Sequence, residues 1–247
     1  LQLLHLPLTA PAEQLAADEA LLDEAEAGHG AETLVFWEPR ETFVVLGYAN
    51  RVAAEVNVAA CEQKNIPIFR RCSGGGTIVQ MPGGLNYSLI LRIDDTAPTS
   101  NITTANQFIM ERIRVALATL FPRPQTPNAT PQISVRGHTD LCLGDVKFAG
   151  NSQRRRKNFL LFHGTVLLDC DLHWIGELLR MPSIEPDYRA HRPHADFVAN
   201  LHLPAEKVMS ALAAAWAAKD EMKNPPLEKI RHRAREQYST AAWNLKF

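Results

Sequence analysis

Nothing in this chain points to a disulfide framework or a thiolate metal site. Its four cysteines, Cys61, Cys72, Cys142 and Cys170, form no CxxC pair, and none stands at metal-ligand spacing from a histidine. That usage fits a reducing compartment. No apolar run approaches the roughly 20 residues that a bilayer-spanning helix requires. The first residues lack a basic region followed by an apolar stretch and a cleavage site, so a cytoplasmic protein with no membrane partner is expected. Neither sign of charge is in excess. Lys and Arg total 26 against 27 Asp and Glu, a net charge of −1, which removes the bulk attraction by which nucleic acids are held. Repeats and low-complexity tracts are also missing. With 46% hydrophobic and 21% charged residues, neither disorder nor a coiled coil is the default.

The 247 residues suffice for one large core or two small ones. Residues 7–27 read as a first helix, opened by Thr9 and Pro11 and closed at Gly28. Two β-rich runs follow at 33–37 and 42–48, joined by the turn-like Glu38-Pro39-Arg40. A short helix over 54–64 leads to strands at 66–70, 77–80 and 86–93. Ser100 or Asn101 caps a long helix with Ala105, Ile109, Ile113 and Leu120 on one face, ended by Pro122. Strands are expected at 132–136, 141–143, 146–149 and 160–168, with Gly144-Asp145 as a hairpin turn. Helices return at 172–179, 205–219 and 227–238. Clustered strands flanked by helices predict an α+β fold. The expected organisation is one catalytic domain over residues 1–200, with a helical segment, 201–247, packed on it.

Three features stand out chemically. Gly74-Gly75-Gly76 weakens any strand, so its backbone needs positive φ or close approach to a ligand. Arg70 and Arg71 precede it, and guanidinium groups beside exposed N–H groups suit a carboxylate or phosphate. A bare triglycine equally describes a flexible loop beside two solvated arginines. It is not a Walker loop, because no Gly-Lys-Ser/Thr follows. The second feature is Lys147-Phe148-Ala149-Gly150-Asn151-Ser152-Gln153, in which alternation places Lys147 and Ala149 on one strand face. The third is His163-Gly164-Thr165, a polar interruption of an apolar strand.

Together and in this order, these segments resemble the lipoate–protein ligase family, within the biotin/lipoate ligase superfamily. The family pattern is an Arg-Arg-x-Ser-Gly-Gly-Gly loop, an Asn-x-Ser/Thr strand, Asp-Leu, Lys-x-x-Gly and His-Gly-Thr. Here it falls on Arg70–Gly76, Asn86-Tyr87-Ser88, Asp140-Leu141, Lys147–Gln153 and His163–Thr165. The helix at Leu15–Leu22, the early hairpin of Glu38-Pro39 and Leu46-Gly47, and Tyr238-Ser239 with Trp243-Asn244 extend the likeness over nearly the whole chain.

The resemblance implies activation of lipoate by ATP to lipoyl-adenylate, then transfer to a lysine of a lipoyl-domain acceptor protein. Lys147 is the implied catalytic residue, at the oxygens where carboxylate meets phosphate. Arg71, Ser73, Gly74, Gly75, Gly76 and Thr77 are implied to line the acyl and phosphate channel. Gly150, Asn151 and Ser152 would supply backbone donors, with Asn86, His163 and Thr165 completing the wall. Val79 and Tyr87 would flank the apolar tail. Asp140 would adjoin the adenylate and a Mg²⁺ held by few protein ligands. Gln80 stands where many ligases carry His, and Thr139 where many carry Asn. A short form without a separate accessory domain is expected, with activation either calling for an accessory subunit or complete without one.

The nearest alternative is an ATP-independent octanoyl or lipoyl transferase working through a cysteine thioester. Its two usual loops read Val135-Arg136 and Met181-Pro182-Ser183 here, without cysteine. Cys142, in an apolar strand, reads as an inert buried thiol. A binding module without activity is the alternative from another class. The run Arg154-Arg155-Arg156-Lys157 is expected either to be solvated or to dock an acidic acceptor surface. Residues 186–194 read as a mobile loop near the acceptor site.

Overall fold

A computed structural model describes residues 1–121 and 132–247 of the chain. It contains a large mixed sheet and a small one. The large sheet runs, edge to edge, through β11 (Asp220–Glu221), β1 (Gln2–His5), β2 (Thr33–Trp37), β6 (Gly84–Arg92), β10 (Phe159–Leu167), β9 (Val146–Arg155), β8 (Asp140–Leu143) and β7 (Ile133–Arg136). β1 pairs in parallel with β2 and β11, and the remaining pairs are antiparallel. The small sheet has β3 (Phe43–Leu46) between β4 (Ile68–Arg70), parallel, and β5 (Ile78–Gln80), antiparallel. This is the mixed-sheet α+β architecture expected.

The central strands are apolar on both sides because helices cover both sheet faces. Leu34 and Phe36 of β2, Leu89 and Leu91 of β6, and Leu160 and Phe162 of β10 face α4 (Ile102–Ala118) and α7 (Ala205–Ala215) in one core. Val35, Trp37, Ile90, Phe159 and Leu161 face the other way. They pack on α1 (Pro11–Glu26) and α8 (Leu227–Arg233), with the π-helical turn Ala234–Tyr238 that follows α8. A third core lies between the small sheet and α5 (His173–Leu178), which has the short α6 (His194–Phe197) beside it, and is joined by Val56 and Cys61 from the segments of α2 (Val52–Glu55) and α3 (Val58–Gln63). No helix among the described residues is long and apolar enough to cross a membrane.

Several elements differ from expectation. β2 and β3 do not form a hairpin: each pairs in a different sheet, so residues 38–42 carry the chain between layers. β1 and β11 are too short and irregular in pattern to read, and form only by pairing at the sheet edge. The helix at 54–64 is two helices separated by Val56 and Asn57, with the Asn57 side chain capping the second. β9 continues to Arg155, six residues beyond the expected end, because its second half is polar and breaks the apolar pattern. Asn101 caps α4 through Thr104 N–H. Pro122, the expected terminator, lies outside the described residues.

Candidate active site

Strand register builds the site. β10 faces β6 and β9 so that His163 is opposite Ser88 on one side and Ser152 on the other; Thr165 is likewise opposite Asn86 and Gly150. Period-2 alternation therefore gathers these six residues on one sheet face, above the apolar rows. They floor a cleft of about 860 Å³ that also reaches the apolar side chains of Leu15, Trp37, Val79 and Ile175. A volume in that range accommodates an acyl chain together with a nucleotide-sized head. Every site residue expected from the sequence lines this cleft except Ser73 and Gly74.

The two arginines before the glycines have separate roles. Arg70 is fully buried and structural. Its guanidinium donates to the carbonyls of Gly47, Tyr48, Asn50, Trp243 and Asn244, while its backbone N–H donates to Asn244 Oδ1 at 2.9 Å. It ties the chain's last segment, α9 (Ala241–Asn244), to the strand that enters the loop. Arg71 turns the other way and lines the cleft. Its Nη2 donates to Gly74 O at 2.6 Å and Gly76 O at 2.8 Å, and its Nε to Ser73 Oγ at 3.1 Å. Burial pulls its pKa down to about 10, so it remains cationic at neutral pH. Its Nη1 is buried with no partner, as is Thr77 Oγ1 nearby in the loop. An unpaired buried donor is costly, and two in one cleft mark where a ligand's acceptor oxygens belong. Gly75, at φ +86°, carries the loop over Arg71; a Cβ there would meet Nη2 at 2.9 Å.

Lys147 enters from the opposite wall. A bulge between Leu141 and Cys142 shifts the β8–β9 register, and the lysine side chain folds back over Gly150, where a Cβ would sit 2.8 Å from its Cε and Nζ. This is the physical reason for a glycine three residues after the lysine. Nζ pairs with Asp140 Oδ1 at 2.7 Å, and Tyr188 O–H donates to Asp140 Oδ2 at 2.7 Å. Both carboxylate oxygens of Asp140 are thus engaged by protein. In this arrangement Asp140 holds the lysine. No group of three His, Cys, Asp or Glu among the described residues could hold a metal ion.

Other expected residues have partners that the sequence did not announce. Asn151 turns its side chain toward α4, accepting from Tyr87 O–H and donating to Thr139 O at 2.8 Å, which leaves its backbone for the donor role expected of it. Gln80 and Asn86 join amide to amide at 2.7 and 2.9 Å, and Thr165 O–H donates to Asn86 Oδ1 at 2.6 Å. The three arginines of the basic run are engaged within the chain, and Lys157 is exposed. Arg154 pairs with buried Glu19 at 3.0 Å, Arg155 donates to the carbonyls of Thr99 and Ser100, and Arg156 pairs with Asp23 at 2.8 Å. Residues 186–194 are pinned by Tyr188 to Asp140, and by Arg192 to Asp145 O at 2.9 Å.

Sequence reading missed Asp18 and Ser88. Asp18 Oδ2 lies 2.6 Å from His163 Nδ1, its Oδ1 accepts from Ser88 O–H at 2.5 Å, and His163 Nε2 lies 2.5 Å from Ser73 Oγ. The available signal was a carboxylate set between Ala17 and Ala20 in a helix otherwise rich in Leu and Ala.

All four cysteines are buried and none lines the cleft. Burial pushes Cys72 up to about 12 and Cys170 up to about 11, and raises Cys61 and Cys142 as well.

Comparison with known proteins matches residues 10–217 to the lipoyl protein ligase A/B catalytic domain. Lipoate-protein ligase A subunit 1 of Thermoplasma acidophilum is 27% identical, over 94% of this chain and 90% of its own. Octanoyltransferase LipM of Carboxydothermus hydrogenoformans is 26% identical, over 96% of this chain and 95% of its own. Among solved structures, a lipoate-protein ligase A bound with ATP superposes with TM-score 0.76 at 27% identity, covering 99% of this chain and 98% of the other. The T. acidophilum protein Ta0514 with bound lipoic acid gives 0.74 at 25%, covering 100% and 99%.

Proposed function

This chain belongs to the lipoyl protein ligase A/B catalytic-domain family, and from that premise we propose that it activates lipoate, or a close medium-chain acid, with ATP and transfers the acyl group to a lysine of a lipoyl-domain protein. One observation carries the reading: the cleft is lined by cations, with Arg71 held by the glycine loop and Lys147 held by Asp140, and by no thiol. ATP supplies the leaving groups. The acyl carboxylate attacks the α-phosphorus, the bond to pyrophosphate breaks, and an acyl-adenylate results. The neutral amine of the acceptor lysine then attacks the acyl carbonyl, AMP leaves, and the amine's proton passes to solvent.

This chain's residues serve both steps by electrostatics and position. Lys147, held by Asp140, offers its ammonium to the oxygens shared by carboxylate and phosphate, where charge develops. The free Nη1 of Arg71 and hydroxyl of Thr77 supply donors from the glycine loop. Leu15, Trp37, Val79 and Ile175 give the tail an apolar channel, where burial stabilises each methylene by about 0.8 kcal/mol. Among the described residues no group of three His, Cys, Asp or Glu is placed to hold Mg²⁺, so we assign it no protein ligand and no step. The ATP-bound ligase and lipoic-acid-bound neighbour support the two substrates.

The second reading, octanoyl transfer through a thioester, is favoured by the likeness to LipM proteins. It requires a thiolate that reaches the acyl group. Incubation of acceptor domain with free lipoate, with and without ATP and Mg²⁺, followed by intact mass, separates the two. A mass gain that needs ATP is expected. Transfer from an octanoyl carrier thioester without ATP, abolished in Cys142→Ser, would establish the transferase instead.

A further inference from the structure

A hydrogen-bond line runs through the protein behind the glycine loop, and its first member has no part in the mechanism above. Asp18 comes from α1, Ser88 from β6, His163 from β10, and Ser73 and Arg71 from the loop. Asp18 and Ser73 are 4% and 1% exposed. The links measure 2.6 Å from Asp18 Oδ2 to His163 Nδ1, 2.5 Å from His163 Nε2 to Ser73 Oγ, and 3.1 Å from Ser73 Oγ to Arg71 Nε.

With a single proton on the imidazole, one arrangement satisfies every link. An ionised Asp18 accepts and cannot donate, so Ser88 O–H and His163 Nδ1–H both point at it. Nε2 of the neutral imidazole is then the acceptor, and takes the Ser73 hydroxyl proton. The Ser73 oxygen is left to accept from Arg71 Nε–H. Moving the imidazole proton to Nε2 leaves the Nδ1 lone pair facing the Asp18 carboxylate and breaks the line there. The same three side chains could be mistaken for a nucleophilic triad. Ser73, however, does not line the cleft, and its oxygen already accepts from Arg71.

We propose that Asp18 is a positioning residue: through the tautomer of His163 and the hydroxyl of Ser73, it sets the plane of the Arg71 guanidinium so that Nη1 meets the carboxylate head of the acyl substrate. Nε and Nη2 are consumed by Ser73, Gly74 and Gly76, so once Nε is fixed the remaining donor has a single direction. Loss of that direction misplaces a cation at the reacting centre, which lowers rates on the order of 10²-fold per ångström.

The anion-binding part of this inference rests on the proposed acyl-acid substrate; the tautomer does not. Nitrogen-15 NMR of the imidazoles, with His163 assigned by His163→Gln, reads the proton directly. The wild type should carry it on Nδ1, and Asp18→Leu, which leaves only Ser73 to accept, should carry it on Nε2. Calorimetric titration with octanoate needs no ATP, and its affinity should fall in Asp18→Leu and in the milder Asp18→Asn. Asp18→Asn combined with Arg71→Ala should bind no more weakly than Arg71→Ala alone. In turnover, the Asp18 variants should raise KM for the acid more than they lower kcat. A wild-type proton on Nε2, an Asp18 variant that moves the tautomer but leaves octanoate affinity unchanged, or an acyl ester trapped on Ser73 would each overturn the proposal. Failure of ATP-dependent modification with the tautomer as expected would instead remove the ligase reading and leave the relay standing.

Discussion

At the scale of single residues, the site depends on two close approaches. Lys147 lies over Gly150 and pairs with Asp140, whose other oxygen is held by Tyr188. Lys147→Ala removes a charge but leaves that tyrosine contact. Pyrophosphate release with saturating ATP and lipoate should fall about 10²- to 10³-fold, while the unfolding midpoint moves little. In the loop, Gly75 sits at φ +86° against Arg71, but Gly74 has negative φ and open space around its Cβ position. Gly75→Ala should therefore destabilise the fold by about 1–2 kcal/mol and weaken octanoate binding. Gly74→Ala should change both far less, as measured by urea unfolding and titration.

At the scale of elements, two joints hold the terminal segments to the site. Glu19 of α1 is the hub of the first. It receives Arg154 from β9 at 3.0 Å, Arg233 from α8 at 3.3 Å, and Tyr238 O–H at 2.9 Å. Removing the carboxylate leaves guanidinium groups facing one another in a poorly solvated joint, so Glu19→Ala should cost about 3 kcal/mol in chemical denaturation. The second joint is Arg70 with α9. Asn244 accepts from Arg70 N–H through its side chain, and donates to Tyr238 O at 2.8 Å. Asn244→Ala strands these buried groups, which should cost about 1–3 kcal/mol. Amide exchange should then quicken in residues 68–76 before it does so in α4.

At the scale of the whole molecule, buried thiols set a dependence on alkaline pH. Cys72 at about 12 and Cys170 at about 11 lie above their ordinary value of 9.0. A raised native pKa means the native state keeps protons that the unfolded chain loses. Stability from these groups is complete below about pH 9 and declines as pH rises toward 11 and 12. Each group takes away up to about 1.4 kcal/mol per pH unit in that window. The urea midpoint should hold steady from pH 7 to 8.5 and fall between pH 9 and 10.5. Ellman titration at pH 8 should find all four thiols slow in the native protein and fast in denaturant. A single fast native thiol would revive the thioester route.

What the sequence determined by itself was the fold class, most strands to within a residue or two, and membership of the cleft: Lys147, the glycine loop and His163 each carry a local pattern that chemistry can read. Local pattern was enough there because strand alternation and glycine spacing are set by neighbours along the chain. Tertiary structure decided what each polar group faces. Arg70 and Arg71 are adjacent and chemically identical in the sequence, yet one is a buried tie and the other a cleft cation, because alternation turns them to opposite sides. Asp140 meets Lys147 beside a bulge that no spacing announces. Arg154 and Arg156 closed on Glu19 and Asp23 because β9 ends beside α1, more than a hundred residues away in the chain. Asp18 meets His163 for the same reason: a hydrogen bond depends on distance in space, and only the packing of α1 on the sheet brings those two atoms to 2.6 Å.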